Sequence, residues 1–208
     1  MGAEQQSGAF KELLFKETAK LNIKLSEYQA VQIFKYSEEL RKFGKVHNLT
    51  AIRKPEEIIR NHFIDSFKCY ACFQYTHGMK VADIGSGAGF PGIPVKIVYP
   101  EIELSLIEVS KKKTIFLEHI CSTLGLRNVK ILNNRAEILG KQGDLRESFQ
   151  LVLSRAFAPL GILLELTAPF ISLGGQAVLH RGELKEKEEY VEGLLKALGV
   201  VIEKIETY

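Results

Sequence analysis

The sequence predicts an α/β protein, in which a mostly parallel sheet flanked by helices follows an all-helical segment. From residue 79 onward, short apolar runs alternate with helical patterns, which is typical of chains that build a parallel sheet covered by helices. Before residue 75 the apolar residues recur with helical spacing only. A glycine-rich stretch, residues 83–90, follows the first predicted strand and leads into a helix.

The helical segment is predicted to contain three helices. Ser26 and Gln29 form a capping-box pattern at the start of the second helix, and Gly44 is predicted to end it. Pro55 suits the first turn of the third helix. The N–H groups of a first turn have no hydrogen-bond partner within the helix, so proline, which has no N–H, loses no hydrogen bond there. The predicted helices span about 10–20, 26–43 and 55–70, with an irregular stretch at 45–52. Residues 1–75 are thus predicted to form a helical appendage and residues 76–208 the second domain.

The second domain is predicted to alternate strands with helices. The strands are expected at 79–83, 103–108, 129–133, 149–154, 175–180 and 200–206. The helices are expected near 92–98, 111–124, 160–170 and 184–198.

Composition indicates a soluble protein of one domain with a small appendage. The chain has 208 residues, of which 46% are hydrophobic and 25% charged, and no apolar run could span a bilayer. Its N-terminus is too polar for a signal peptide, so we expect a cytoplasmic protein without a membrane partner. The net charge of +3 permits nucleic-acid binding but does not argue for it.

The three cysteines do not indicate a disulfide framework or a metal site. Cys69 and Cys72 have the spacing of half a zinc site, but the third cysteine, Cys121, supplies no second pair. Both lie in a helical pattern, where cysteine is commonly a small buried apolar residue. We therefore expect a reducing compartment and no metal.

The glycine-rich stretch predicts a cofactor site of the nucleotide type. Asp83, Gly85, Gly87 and Gly89 form the pattern D-x-G-x-G-x-G between a strand and a helix N-terminus. Glycines let the backbone approach a ligand closely, so we expect Asp83, Gly85 and Gly87 to bind the cofactor. A dinucleotide site would place its third glycine at position 90, which is Phe90, and this spacing disfavours an NAD-linked dehydrogenase.

Three further stretches are predicted to reach the same edge of the sheet. Glu108 ends the second strand, where a carboxylate can accept both ribose hydroxyls of an adenosine. Residues 134–137 follow the third strand and could contact an adenine edge, although a plain helix N-terminus explains them nearly as well. Arg155 ends the fourth strand, where a buried guanidinium needs a ligand or an ion pair, and we favour the ligand.

The glycine pattern resembles motif I of the class I S-adenosylmethionine-dependent methyltransferases, which have a Rossmann-like fold. Five stretches, in this order, resemble the bacterial 16S ribosomal RNA guanine-N7 methyltransferases, also called glucose-inhibited division protein B. The resemblance covers about residues 25–182. The stretches are KVHNLTAIR (45–53), NHFIDSF (61–67), VADIGSGAGFPGIPVKIVYP (81–100), NRAE (134–137) and SRAFA (154–158).

This resemblance implies both the cofactor contacts and the reaction. Gly85, Phe90, Ala136, Glu137 and Arg155 would contact S-adenosylmethionine, and Arg155 is also the candidate catalytic residue. The substrate would be N7 of a guanine in the 530 loop of 16S ribosomal RNA, on the free RNA or the small ribosomal subunit. Guanine N7 has an in-plane lone pair and no proton to lose, so positioning can replace a general base.

The RNA contacts are expected from the helical appendage and from loops near the site. We expect His47, Asn48, Arg53 and Arg181 to bind RNA, with further charge from Lys111–Lys113. The target should be unpaired, because N7 in A-form RNA lies in a groove that side chains cannot read. We expect a monomer.

The sequence departs from the family pattern in two places. His180-Arg181-Gly182 stands where relatives usually have a lysine before the glycine that follows the fifth strand. The usual last antiparallel strand is expected to be missing or very short, which would leave a sheet edge open.

Two other functions fit part of the pattern. A methyltransferase acting on a small molecule or protein would share every cofactor residue, but the helical appendage offers a basic face instead of an apolar pocket. A non-catalytic nucleotide-binding module is disfavoured because the glycine turn, Glu108 and Arg155 occur together.

Overall fold

Five parallel strands form the centre of the protein in a computed structural model that describes residues 3–47, 52, 54–155, 158–180 and 188–206. The strands are β1 (Lys80–Ile84), β2 (Glu103–Ile107), β3 (Val129–Leu132), β4 (Phe149–Arg155) and β5 (Ile171–His180). Their order in the sheet is β3-β2-β1-β4-β5, and every neighbouring pair is parallel. The predicted α/β architecture is therefore confirmed.

Helices connect the strands and cover both faces of the sheet. Apolar side chains pack against both faces, since Val81 and Leu106 belong to one cluster and Ala82 and Ile107 to another. The helices of this part are α5 (Gly92–Val98), α6 (Lys111–Thr123), α7 (Ala136–Leu139), α8 (Leu160–Thr167), a 3₁₀ turn (Ala168–Phe170) and α9 (Glu188–Leu198).

The N-terminal helices, which we call the helical unit, are less regular than predicted. The third predicted helix changes type three times along 55–72, and its middle is a π-helix, which is rare and frequent at functional sites. The elements of the unit are α1 (Ala3–Ala19), α2 (Glu27–His47), α3 (Pro55–Ile58), the π-helix (Ile59–Ile64), α4 (Asp65–Lys68) and a 3₁₀ turn (Cys69–Cys72).

Several sequence-based predictions of element bounds are wrong. Helix α1 begins at Ala3 instead of about residue 10, and β5 begins at Ile171 instead of residue 175. Gly44 does not end α2, which continues to His47, because Gly44 is buried in the interior and tertiary packing overrides its low helix propensity. Residues 200–206 form no strand. They alternate apolar and polar residues, but their described contact with β5 is a side-chain hydrogen bond from Gln176 to Glu203 at 2.9 Å, and Val201 remains 81% exposed.

The helical unit and the sheet share one hydrophobic core. Leu14, Tyr36 and Phe63 of the helical unit are fully buried in the same cluster as Val81 and Leu151 of the sheet. Removing the helices from the sheet would expose this core to water, at roughly 25 cal/mol per Å² of apolar surface. The helical unit is therefore held on the sheet by this common core.

Polar contacts from α2 fix how the helical unit sits. The amide of Gln29 donates to the carbonyl oxygens of Ile97 and Val98 at 2.9 and 3.2 Å, at the end of α5. The amide of Gln32 donates to Leu124 O at 2.8 Å, at the end of α6. These carbonyls have no partner within their own helices, so α2 caps two neighbouring helices at once.

The capping box predicted at the start of α2 is present. Gln29 N donates to Ser26 Oγ at 3.2 Å, and Ser26 N donates to Gln29 Oε1 at 2.9 Å. The carbonyl group of the Gln29 side chain thus closes the cap while its amide group reaches α5. The Gln29 side chain therefore both caps the start of α2 and attaches this helix to α5.

Substituting Gly92 by Ala should destabilise the fold. A Cβ at position 92 would lie 2.7 Å from Asp83 Oδ2 and 3.0 Å from Leu106 Cδ2, both buried. Overpacking of this kind costs about 1–3 kcal/mol. We expect a loss of that size in the free energy of unfolding measured with urea. Gly143→Ala is the matched control, since a Cβ there meets no atom within 4 Å, and equal losses in both variants would contradict the prediction.

Candidate active site

The glycine turn lies at the carboxyl end of β1, between two buried carboxylates. Gly85 N and Ser86 N donate to the carbonyl oxygen of Ile107 at 2.9 and 3.1 Å, which holds the turn against the end of β2. Gly85, Gly87 and Gly89 have φ of 72°, 60° and 95°, a region that side chains with a Cβ rarely adopt. The three predicted glycines are therefore required by the backbone conformation.

Asp83, in β1, links the two ends of the glycine turn. It is fully buried, and its Oδ2 accepts a hydrogen bond from Gly92 N at 2.9 Å, which joins the end of β1 to the start of α5. Its Oδ1 has no hydrogen-bond partner among the described residues. Burial raises the pKa of this carboxyl to about 7, and the hydrogen bond from Gly92 opposes that rise only in part.

Glu108 lies beside the turn. Its Oε2 accepts from Gly87 N at 2.9 Å and its Oε1 accepts from Ser110 N at 2.8 Å, so the carboxylate bridges the turn and the start of α6. The structure thus brings together the two acidic residues and the glycines that the sequence analysis assigned to one site. Lys113 Nζ approaches the same Oε2 at 3.9 Å.

The stretch after β3 reaches the same edge of the sheet. Asn133 donates to the carbonyl oxygens of Glu108 and Val109 at 2.9 and 3.0 Å, which ties the end of β3 to the end of β2. Ala136 and Glu137 form the first turn of α7. Two apolar side chains near these strand ends are open to solvent: Val109, in the loop after β2, is 61% exposed, and Ile138, in α7, is 49% exposed.

The side chain of Phe90 points into the core. It is 5% exposed, and the rings of Tyr36 and His62 stack on it with centroids 5.1 and 4.7 Å away. The Tyr36 hydroxyl also donates to the carbonyl oxygen of Ala88. Phe90 therefore anchors the glycine turn to the helical unit, while its backbone remains part of the turn.

Arg155, at the end of β4, is held by the helical unit. Its Nη1 donates to Asn61 O at 3.2 Å and to Asp65 Oδ2 at 3.3 Å, and its Nη2 lies 3.1 Å from His62 Nδ1. Its Cζ is 5.2 Å from the centroid of the Phe90 ring, within the range of a cation–π contact. Of the two roles weighed from the sequence for this side chain, the structure contains the ion pair, with Asp65, and the ligand contact stays a prediction.

His180, at the end of β5, completes this group. Its Nε2 lies 3.4 Å from Asp65 Oδ1, and burial lowers its pKa. We call His62, Asp65, Arg155 and His180 the polar cluster. His62 and Asp65 were not singled out as site residues from the sequence, although both stand in the stretch NHFIDSF, where polar residues recur within an apolar helical pattern.

The predicted RNA-binding residues lie mostly outside the described part of the chain. Asn48, Arg53 and Arg181 are not among the described residues, and of His47 only the backbone is described, at the end of α2. Those assignments stay predictions. Lys111 and Lys112 are exposed in the first turn of α6.

The described residues give no membrane-spanning helix and no metal centre. None of the described helices is both long and apolar enough to cross a bilayer. The described ranges also contain no group of three or more His, Cys, Asp and Glu side chains that could hold a metal ion. Burial raises the pKa of the Cys69 thiol to about 12, which makes it a poor metal ligand.

Solved structures with the same fold include methyltransferases. A SAM-dependent methyltransferase from Aquifex aeolicus superposes with a TM-score of 0.52 at 20% identity, over 76% of this chain and 86% of that one. A precorrin-6y C5,15-methyltransferase from Geobacter metallireducens superposes with a TM-score of 0.51 at 17% identity, over 74% and 75% of the two chains. The sheet order and the acid-flanked glycine turn thus define a Rossmann-like fold of the methyltransferase class.

The sequence comparisons identify the family. The family model GidB, described as rRNA small subunit methyltransferase G, matches residues 29–198, and the chain belongs to this family. A relative from Caldanaerobacter subterraneus is 39% identical over 194 residues, 93% of this chain and 81% of its own length. Another from Dictyoglomus thermophilum is 39% identical over 201 residues, 95% and 83% of the two chains. Both relatives are named ribosomal RNA small subunit methyltransferase G.

Replacing Asp83 by Asn should make the stability of the protein less dependent on pH. The carboxyl has a pKa near 7 when folded and 3.8 ordinarily, so the unfolded chain loses this proton first as the pH rises. Stability is therefore lost between about pH 4 and pH 7. Relative to the parent, Asp83→Asn should gain about 2–3 kcal/mol of unfolding free energy between pH 5 and pH 8.

Urea unfolding of both proteins at several pH values measures this difference. Asn at position 83 can still accept the hydrogen bond from Gly92, so the turn should keep its shape. Asp144→Asn, at an exposed position, is the matched control. A difference between Asp83→Asn and the parent that stays constant across this pH range would contradict the assignment.

Proposed function

We propose that this protein transfers a methyl group from S-adenosylmethionine to N7 of a guanine in the 530 loop of 16S ribosomal RNA. The observation that carries the proposal is the meeting of the Gly87 amide and the Glu108 carboxylate at 2.9 Å, on the sheet edge of a chain of this family. The target base and atom come from the family resemblance.

The residues at this edge fit the proposed cofactor. A Cβ at Gly87 would meet only Gly85 O, at 3.8 Å, so the space above the turn is open to a ligand. Glu108 can accept ribose hydroxyls, and the exposed side chains of Val109 and Ile138 offer apolar surface to a flat ring. Ala136 and Glu137 stand at the same edge and remain the predicted contacts to the adenine. Beneath the turn, the buried carboxyl of Asp83 has a pKa of about 7, and its Oδ1 has no hydrogen-bond partner among the described residues.

When bound, the cofactor supplies an electrophilic methyl group on a sulfonium. The chain then has to align this group with an acceptor that needs no deprotonation, since guanine N7 already carries a lone pair. Alignment of two reactants can supply roughly 7–11 kcal/mol of the barrier. The Arg155 guanidinium suits the carboxylate of the cofactor or an RNA phosphate better than the base, because the methylated guanine is itself cationic.

The first turn of α6 supports an RNA partner. Lys111, Lys112 and Lys113 stand at the positive end of this helix, where each cation costs about 0.3–1 kcal/mol of stability. A phosphate bound there would neutralise both the lysines and the helix end. Glu108, the neighbouring carboxylate, already accepts hydrogen bonds from two backbone N–H groups, those of Gly87 and Ser110.

We also propose that the protein acts in the cytoplasm as a monomer, on the RNA or on the small ribosomal subunit. The substrate guanine should be unpaired or extruded, because the deep groove of an A-form helix hides N7 from side chains.

Methyl transfer from labelled S-adenosylmethionine to small ribosomal subunits tests the proposal directly. We expect label in 7-methylguanosine after digestion and separation of the nucleosides. Label in another nucleoside would overturn the target. Absence of label from every RNA form, with the cofactor bound, would overturn the RNA substrate.

Substituting Lys111 and Lys112 together by Ala should have opposite effects on stability and on RNA binding. The free energy of unfolding should rise by about 0.6–2 kcal/mol, because two cations leave the positive end of α6. The affinity for RNA should fall, and the slope of log affinity against log salt should shrink by about 1.4, since each phosphate contact contributes about 0.7.

Urea unfolding and RNA titrations at several salt concentrations give these two quantities. Lys196→Ala is the control, because Lys196 stands in the last turn of α9, where a cation is favourable. It should lower stability slightly and leave the salt slope unchanged. An unchanged slope in the double variant would contradict the RNA contact.

A further inference from the structure

The guanidinium of Arg155 keeps free hydrogen-bonding capacity after its described contacts are made. An arginine has five N–H groups, and the contacts with Asn61 O, His62 Nδ1 and Asp65 Oδ2 use at most three of them. All three acceptors belong to the π-helix and α4 of the helical unit, while Arg155 itself belongs to the sheet. The helical unit therefore sets the direction in which the remaining N–H groups point.

His62 is a rigid acceptor. Its ring stacks on Phe90 at 4.7 Å with an interplanar angle of 19°, and Phe90 stacks on the buried Tyr36 at 5.1 Å and 4°. The stack fixes the plane of the imidazole, and the contact of Nδ1 with Arg155 Nη2 at 3.1 Å selects which edge of the ring faces the guanidinium. The stack extends from the core to the guanidinium.

The contact requires a neutral imidazole. A protonated histidine has two donors and no acceptor, so Nδ1 can accept from Arg155 only in the neutral ring with the proton on Nε2. Burial and the adjacent guanidinium both lower the pKa of His62, to about 4, and Asp65 opposes them only in part. The surroundings thus keep the acceptor available at neutral pH.

Asp65 holds the other side of the guanidinium. Its Oδ2 pairs with Arg155 at 3.3 Å, while its Oδ1 lies 3.4 Å from His180 Nε2 and 3.5 Å from Lys68 Nζ. The carboxylate is thereby fixed by the end of β5 and by α4. Two neighbouring side chains of the helical unit, His62 in the π-helix and Asp65 in α4, therefore hold the Arg155 guanidinium.

We propose that His62 and Asp65 are positioning residues that orient Arg155 toward the cofactor in the methyl-transfer site. This inference rests on the proposed function. His62 Nδ1 and Asp65 Oδ2 fix the guanidinium plane, and its remaining N–H groups face the incoming anionic group of the ligand. The helical unit is thus part of the cofactor site and not only of the RNA interface.

Two substitutions of His62 separate the acceptor from the ring. His62→Phe keeps the stack on Phe90 and removes Nδ1. His62→Asn removes the ring but can place its Oδ1 near the position of Nδ1 and accept from Arg155. Loss of a hydrogen bond to a charged group corresponds to about tenfold or more in affinity. We expect S-adenosylhomocysteine to bind His62→Phe at least about tenfold more weakly, and His62→Asn to recover most of that loss.

His119→Phe is the matched control. His119 also links the helical unit to the sheet region, through Glu39 at 2.7 Å and a ring contact with Phe43, and both of these partners lie on α2. Its substitution should change the affinity for S-adenosylhomocysteine by less than about twofold. Calorimetric titration gives the affinities, and thermal unfolding confirms that each variant is folded.

A nitrogen NMR spectrum of the parent protein gives a second readout that does not depend on variants. We expect His62 to show the neutral form with the proton on Nε2. A proton on Nδ1 at neutral pH would overturn the proposal, and so would a folded His62→Phe that binds as the parent does.

The two proposals can fail separately. If the parent protein neither binds S-adenosylhomocysteine nor methylates RNA, the proposed function fails. If the parent does both, and His62→Asn is folded but binds no better than His62→Phe, the positioning role alone is overturned. Asp65→Asn, which keeps an acceptor without the charge, should weaken binding less than Asp65→Ala.

Discussion

The stack of Tyr36 on Phe90 is the contact on which the geometry of the site depends. Tyr36 is a fully buried residue of α2, and its hydroxyl donates to the carbonyl oxygen of Ala88 in the glycine turn. A Cβ at Gly89 would come within 2.7 Å of that hydroxyl, so the turn and the helix fit only when position 89 is glycine. The glycine turn is thus shaped from two sides, by β2 and by the helical unit.

Electrostatics at the sheet edge follow from this arrangement. Three acidic residues, Asp83, Glu108 and Asp65, lie buried or half-buried near the carboxyl ends of parallel strands, and they differ in their partners. Glu108 accepts two backbone hydrogen bonds, Asp65 pairs with Arg155, and Asp83 has one oxygen without a partner in the described residues. The three carboxyl groups are therefore stabilised to different degrees by their hydrogen-bond and ion-pair partners.

The parts that could be predicted from the sequence have local or periodic signals. The strands β1 to β4, the glycine turn, Glu108 at the end of β2 and the capping box of Ser26 and Gln29 all follow from such signals. The extent of α2 past Gly44 could not be predicted, because that glycine is buried by tertiary packing. The prediction of a strand at 200–206 was wrong for a related reason. Alternation of apolar and polar residues does not show whether a neighbouring strand is available to pair. His62 and Asp65 were missed because their partner, Arg155, is some ninety positions away in sequence.

The π-helix at Ile59–Ile64 limits how this family member can vary in length. Its wider turn holds an additional residue compared with an α-helix, which shifts the phase of everything that follows it. Asp65, Ser66 and Phe67 come directly after it, and Ser66 and Phe67 are buried. A deletion of one residue here would turn the segment into a regular helix and change the position of Asn61 O and His62 Nδ1 relative to the Asp65 carboxylate, so that the three acceptors no longer surround the guanidinium together. The segment should therefore tolerate changes of residue type more readily than changes of residue number.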